Sequence, residues 1–134
     1  MAPPESVPID PGMATDFHIA TETPSVVSYK FWILRAGDKW YPIGPEQTDD
    51  ARSDHWMFVP PLPAGSQFAY WIGVWGHANA VWRVRINISQ RDPNSTSDSW
   101  IARGSWTESG VLTDEGNGGG LATLPRVPRV RLGQ

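Results

Sequence analysis

The stretch 67–89, QFAYWIGVWGHANAVWRVRINIS, constrains the fold more than any other part of the chain. Phe68, Tyr70, Ile72 and Val74 alternate along one run, and Trp82, Val84, Ile86 and Ile88 alternate along the next. A period of two in β-branched and aromatic residues marks strands with one face buried. Gly76-His77-Ala78-Asn79 separates the runs and reads as a turn, so the two strands are expected to pair as a hairpin.

The register of that hairpin decides what its tryptophans do, because a one-residue slip moves every side chain to the other face. With an odd loop, Trp75 opposes Val81, Gly73 opposes Arg83 and Trp71 opposes Arg85. One face is then wholly apolar, and the other gathers Trp71, Trp75, Arg83 and Arg85. With a four-residue loop, Trp71 and Trp75 join Trp82, Val84 and Ile86, and the two arginines are forced opposite Ile72 and Tyr70. The odd register separates polar from apolar and is the expected one. It sets guanidinium groups beside indoles, a contact worth roughly 0.5–1 kcal/mol when exposed.

Elsewhere the chain shows short apolar runs cut by turn residues. Segment 16–21 (DFHIAT) reads as a first strand, and 25–35 (SVVSYKFWILR) as a second with Val27, Tyr29, Phe31 and Ile33 on one face. Segment 39–43 (KWYPI) is expected to return as a hairpin with that strand, and 44–54 (GPEQTDDARSD) to be an acidic loop. Further strands are expected at 55–59, 99–107 and 110–113. The 13 Gly and 13 Pro fall mostly between these runs. Seven or eight short strands with frequent turns and no helical period predict an all-β antiparallel β-sandwich, jelly-roll or Ig-like. Residues 1–12 are expected to be a flexible Pro-rich arm and 13–115 the sandwich domain. Residues 116–134 are expected to be a Gly-rich break followed by an Arg- and Pro-containing C-terminal arm or edge strand.

A chain of 134 residues can bury a core without staples, and its lack of Cys excludes disulfides, thiolate metal sites and cysteine nucleophiles. Residues 1–120 carry eight basic against fourteen acidic groups, while 121–134 carry Arg126, Arg129 and Arg131 and no acid. An acidic body lacks the dense basic face that nucleic acid needs, so no nucleic-acid partner is expected. The N-terminus shows no basic region followed by an apolar one, and no apolar run reaches membrane-spanning length. No membrane insertion is expected; the protein should be soluble, and cytoplasmic or exported without a recognisable leader.

The motifs of hydrolysis and phosphate binding are missing: no G-x-S-x-G, no glycine-rich phosphate loop, no H-E-x-x-H. His18, His55 and His77 are too dispersed for a metal site. The acidic residues Glu46, Asp49, Asp50 and Asp54 lack the spacing of a calcium loop and read as solvated. Sequons stand at Asn87-Ile88-Ser89 and Asn94-Ser95-Thr96 and matter only in a secretory pathway. No enzyme activity, cofactor or metal is therefore expected.

What stands out is tryptophan, eight residues in a chain with three Tyr and four Phe. Indole planes suit the apolar faces of sugar rings, and Trp and Arg recur at binding hot spots. The expected function is a non-enzymatic, lectin-like carbohydrate-binding module whose partner is a glycan or other small ligand. Its expected ligand-binding residues are Trp71, Trp75, Arg83, Arg85, His77, Asn79, Asp49 and Asp50, with Trp40, Trp56 and Trp100 as further candidates. A homo-oligomer is expected to raise avidity. The alternative is a structural or assembly protein whose Trp-rich face and terminal arms form subunit contacts.

Overall fold

A computed structural model of the chain describes residues 3–21, 26–35, 40–42, 47–50, 53–58, 62–91, 100–124 and 126–133. Among them lie twelve strands and no helix. They are β1 (Ser6–Val7), β2 (Ala14–Thr21), β3 (Val26–Leu34), β4 (Trp40–Pro42), β5 (Gln47–Asp50) and β6 (Ser53–Phe58). The second half holds β7 (Ser66–His77), β8 (Val81–Arg91), β9 (Ile101–Val111), β10 (Thr113–Gly116), β11 (Gly119–Thr123) and β12 (Arg129–Leu132).

The strands form two sheets. The four-stranded sheet runs β6-β2-β8-β9. The eight-stranded sheet is built on β7, with β3 on one edge and β11 and β12 sharing the other. β4 and β5 extend it beyond β3, β10 beyond β11, and β1 beyond β12. Only the β1–β12 pair is parallel among the described strands. The chain is thus an all-β sandwich of mostly antiparallel strands. Twelve strands stand where seven or eight are expected because two- to five-residue strands formed in segments that composition marks as loop or arm.

Inward residues of both sheets meet in one core. Phe17 of β2 stacks on Phe68 of β7 with ring centroids 4.7 Å apart, and Phe31 meets Phe68 edge-on at 5.1 Å. Tyr29, Ile33, Tyr70, Ile72, Val84, Ile86 and Ile88 are buried around them. Each fully buried side chain of this size contributes about 1.5–3 kcal/mol relative to exposure.

The expected 67–89 hairpin does not form. β7 pairs with β3, β11 and β12 in one sheet, whereas β8 pairs with β2 and β9 in the other. The chain crosses between the sheets at Ala78-Asn79, with Asn79 in the left-handed region at φ 65°. The turn is tied to its surroundings by Ala80 N–H donating to His77 O at 3.1 Å and Asn79 N–H to Leu112 O at 2.9 Å. Phe68 to Val74 still face Trp82 to Ile88, but across the sandwich and not along a ladder.

Three further expectations change. The expected 1–12 arm is tied down within its described residues, 3–12: Ser6 and Val7 pair with Arg131 and Leu132, and Val7 is 1% exposed in the core. The Gly-rich segment is not a flexible break. Asn117 (φ 56°) and Gly118 (φ 77°) join β10 to β11 as a two-residue turn with both central residues at positive φ, the requirement of a type I′ hairpin. Segment 44–54 likewise contains a strand, β5, paired with β3, where a loop is expected.

Candidate functional site

The outer face of the four-stranded sheet carries a recess of about 510 Å³ in which a few polar side chains stand among a largely apolar lining. Its geometry follows from alternation. Phe17 and Ile19 point into the core, so Asp16 and His18 of β2 point outward; Ile86 and Ile88 are buried, so Asn87 and Ser89 of β8 point outward. Register then assembles them. His18, Asn87 and Ser105 of β9 share one rung, and Asp16, Ser89 and Ala102 the next. Ala102, Gly104 and the 39%-exposed Trp100 complete the wall on the β9 side.

A register shift between Ile88 and Ser89 leaves Arg103 as the extra residue on β9, a β-bulge. Arg103 turns towards the end of the sandwich, where its Nε donates to Gln90 Oε1 at 2.9 Å. Gln90 is itself buried and donates to Thr15 Oγ1 at 3.1 Å and to Asp10 O at 2.9 Å. Bulges bend the strand that carries them, and here the bend lies between Ser105 and Trp100, where the recess opens.

The rung at its centre is hydrogen-bonded. Ser105 Oγ donates to Asn87 Oδ1 at 2.6 Å, and Asn87 Nδ2 lies 2.9 Å from His18 Nδ1. An amide nitrogen can only donate, so His18 Nδ1 is the acceptor and the imidazole keeps its proton on Nε2. Because Ser105 donates to Asn87, this rung does not form the serine–histidine pair of an activated nucleophile. It presents instead a fixed set of donors and acceptors. Asp16, only 8% exposed, brings a carboxylate acceptor beside the Ser89 hydroxyl. Among the described residues no group of His, Asp or Glu is arranged to hold a metal ion.

The expected ligand-binding residues are dispersed by the change of sheet. Trp71 and Trp75 lie on the outer face of the eight-stranded sheet, their ring tips over Gly73, where a Cβ would fall 2.7 Å and 3.1 Å from the two Cη2 atoms. Lys30 opposes Trp71 in register and Leu121 opposes Trp75. Arg83 and Arg85 are exposed on the four-stranded sheet, on the other side of the sandwich. The expected surface of Trp71, Trp75, Arg83 and Arg85 is therefore not assembled, because β7 and β8 share a core but no ladder. His77 and Asn79 are exposed at the crossing between the sheets. Asp50 falls on Trp75's rung through Val26, and Asp49 on Val74's through Val27. The side chains of Asp49, Asp50, Trp40 and Trp56 lie outside the described part of the structure.

Of the recess residues, the sequence marks His18 and Trp100 only singly and Asn87 and Ser89 only as part of a sequon, and no motif marks Asp16 or Ser105. The signal was present in D-F-H-I and I-N-I-S, where polar residues alternate with core residues. Comparison with protein-family models, with curated proteins and with solved structures finds no match to this chain.

Proposed function

We propose that this protein is a non-enzymatic carbohydrate-binding module whose site is the recess on the outer face of the four-stranded sheet. The observation that carries the reading is the neighbourhood of Asp16, Ser89 and the Ser105–Asn87–His18 chain beside the exposed indole of Trp100. Sugar hydroxyls both donate and accept, and this set offers a carboxylate, hydroxyls and an imidazole N–H to match them. The indole supplies an apolar surface for a ring face. A shallow site of this kind gains from a second copy, so a homo-oligomer that binds branched or polymeric glycan with avidity belongs to the proposal.

Titration against a glycan array, read by tryptophan emission and calorimetry, tests it. Sugar-dependent quenching that is lost in Trp100→Ala and weakened several-fold in Asn87→Ala is expected, since a hydrogen bond contributes about 0.5–1.5 kcal/mol net. Binding unaltered by both substitutions, or no glycan binding at all, refutes it.

A second reading, subunit assembly, is favoured by a different surface. On the eight-stranded sheet a groove of about 250 Å³ lies between Trp32, Val127 and Arg129 over Ala69, one outward position along β7 from Trp71. An assembly face there predicts an oligomer in light scattering that Trp71→Ser and Val127→Ser dissociate; a monomer at all concentrations rejects it.

A further inference from the structure

The central rung of the recess spans three strands, and its hydrogen bonds all run one way. Ser105 Oγ donates to Asn87 Oδ1 at 2.6 Å, and Asn87 Nδ2 lies 2.9 Å from its acceptor, His18 Nδ1. Because β8 is paired on both sides, with β2 and with β9, Asn87 cannot draw away from either neighbour. It can only turn its amide about χ2, a torsion with two broad wells that exchange the oxygen for a nitrogen of nearly equal size.

A proton on His18 forces that turn. An imidazolium carries N–H on both ring nitrogens, so Nδ1 ceases to accept. An unturned rung would then set Nδ1–H against the Asn87 amide N–H. Turning the amide restores both bonds in the opposite direction: His18 Nδ1–H donates to Asn87 Oδ1, and Asn87 Nδ2 donates to Ser105 Oγ. Ser105 now accepts from Asn87, so its own O–H rotates towards the recess. One proton is taken from solvent at His18 and none travels along the rung. The change at β2 is read on β9, two strand spacings or roughly 9–10 Å away.

The charges around His18 set the pH of this event and not its outcome. Asp16 lies two residues along β2, Arg85 stands diagonally on β8, and His55 is opposite on the β6 ladder. Asp16 favours the imidazolium, whereas Arg85 and a protonated His55 oppose it. On the outer face of β9, Ala102, Ser105, Thr107 and Ser109 bring no charge.

We infer that this rung is a pH-operated switch of the recess. With His18 neutral, Ser105 offers a ligand an acceptor. With His18 protonated, Ser105 offers a donor beside a positive charge, and the recess takes an oxyanion, which can only accept. The switch acts on the site of the glycan-binding reading, but its test uses no glycan, so the two fail separately.

The test follows the His18 ring nitrogens and the Asn87 side-chain amide by nitrogen-15 NMR between about pH 8 and about pH 5, the span in which histidine ordinarily titrates. Inorganic sulfate, ionised throughout that span, is titrated at both ends into the wild type and Ser105→Ala. The Asn87 Nδ2 protons should show contacts to the His18 ring at high pH and to Ser105 Hβ at low pH, exchanging at the His18 midpoint. Sulfate should bind the wild type about tenfold more tightly at low pH, as one charge-assisted hydrogen bond allows. Ser105→Ala keeps the imidazolium and loses the relayed donor, so most of that gain should vanish. An Asn87 amide that holds its orientation through the His18 titration overturns the inference. So does sulfate binding that is absent or unchanged with pH, or a gain that survives Ser105→Ala, which would be the work of charge alone.

Discussion

Replacing Tyr70 with Phe should cost about 2–4 kcal/mol and change how stability depends on alkaline pH. Tyr70 is fully buried on β7, yet its hydroxyl links the two sheets. It accepts from Trp106 Nε1 at 2.9 Å and donates to the Glu108 carboxylate, both on β9. Phe keeps the ring and its packing on Phe68, where the centroids are 5.6 Å apart, and deletes only the oxygen. Trp106 is 3% exposed, so its N–H then has no partner and no water, a loss of about 1–3 kcal/mol. Glu108 loses a charge-assisted bond of about 1.5–3 kcal/mol, reduced to about 1 kcal/mol because it borders an open recess with Arg126 and Arg129 that water can enter. Burial, and then the hydrogen bond to Glu108, push the Tyr70 phenol above the ordinary tyrosine range. A raised phenol contributes its full stability below the unfolded value of about 10. Above it the unfolded chain loses this proton and the folded one keeps it, so stability falls by up to about 1.4 kcal/mol per pH unit. Urea unfolding at neutral pH and at about pH 11 should show the loss at neutral pH and a shallower alkaline decline in Tyr70→Phe than in the wild type. Trp106→Phe is the control that removes the donor without stranding it. A neutral-pH change below about 0.5 kcal/mol, with the same alkaline slope in both proteins, would mean that the hydroxyl bridges nothing and refute the reasoning.

Three other substitutions probe the fold and the recess. Gly120→Ala places a Cβ 2.8 Å from Leu112 Cβ, 2.9 Å from Ala78 Cα and 3.0 Å from His77 O, against backbone that cannot yield, and should cost about 3 kcal/mol in chemical denaturation. Gly73→Ala meets only the ring tips of Trp71 and Trp75, which can swing outward, so about 1 kcal/mol and red-shifted indole emission are expected. Identical costs for the two glycines would contradict the placement of Gly120 against the crossing turn. Asn87→Asp replaces the donor facing His18 Nδ1 with an anionic acceptor, so the imidazole should titrate at higher pH than in the wild type, as followed by NMR. An unmoved titration would show that Asn87 and His18 do not touch.

Much of the fold was legible because it rests on periodicity. The β3–β4 hairpin forms as its sequence suggests, with Ile33 opposite Tyr41, and Tyr29, Phe31 and Ile33 fill the core. The recess was less legible for a physical reason. Asp16, His18, Asn87, Ser89 and Ser105 come from three strands, and only the register of β2 on β8 and of β8 on β9 makes them neighbours. A sequence displays the outward face of each strand but not which strand lies beside it.

The same limit explains the failed hairpin, and it can be located in two turns. Phe68 to Val74 and Trp82 to Ile88 satisfy burial equally well as one face of a ladder or as two facing layers, because in either case apolar side chains meet apolar side chains. Only the connection distinguishes them. A tight hairpin wants Asn-Gly or Asp-Gly, whose positive φ values match the twist of the paired strands. His77-Ala78-Asn79-Ala80 offers one residue at positive φ, enough to turn the chain but not to close a two-residue ladder, and the chain crosses to the second sheet. Asn117-Gly118 is the true Asn-Gly hairpin of this protein, hidden among glycines that resemble a linker. Its placement matters to the crossing itself, since Ala78 N–H donates to Gly118 O at 3.0 Å and Gly120 packs on Ala78. The hairpin thus seals the corner at which β7 leaves one sheet and β8 enters the other. That corner puts Arg83 and Arg85 on the same face as His18 and Asn87 and away from Trp71 and Trp75.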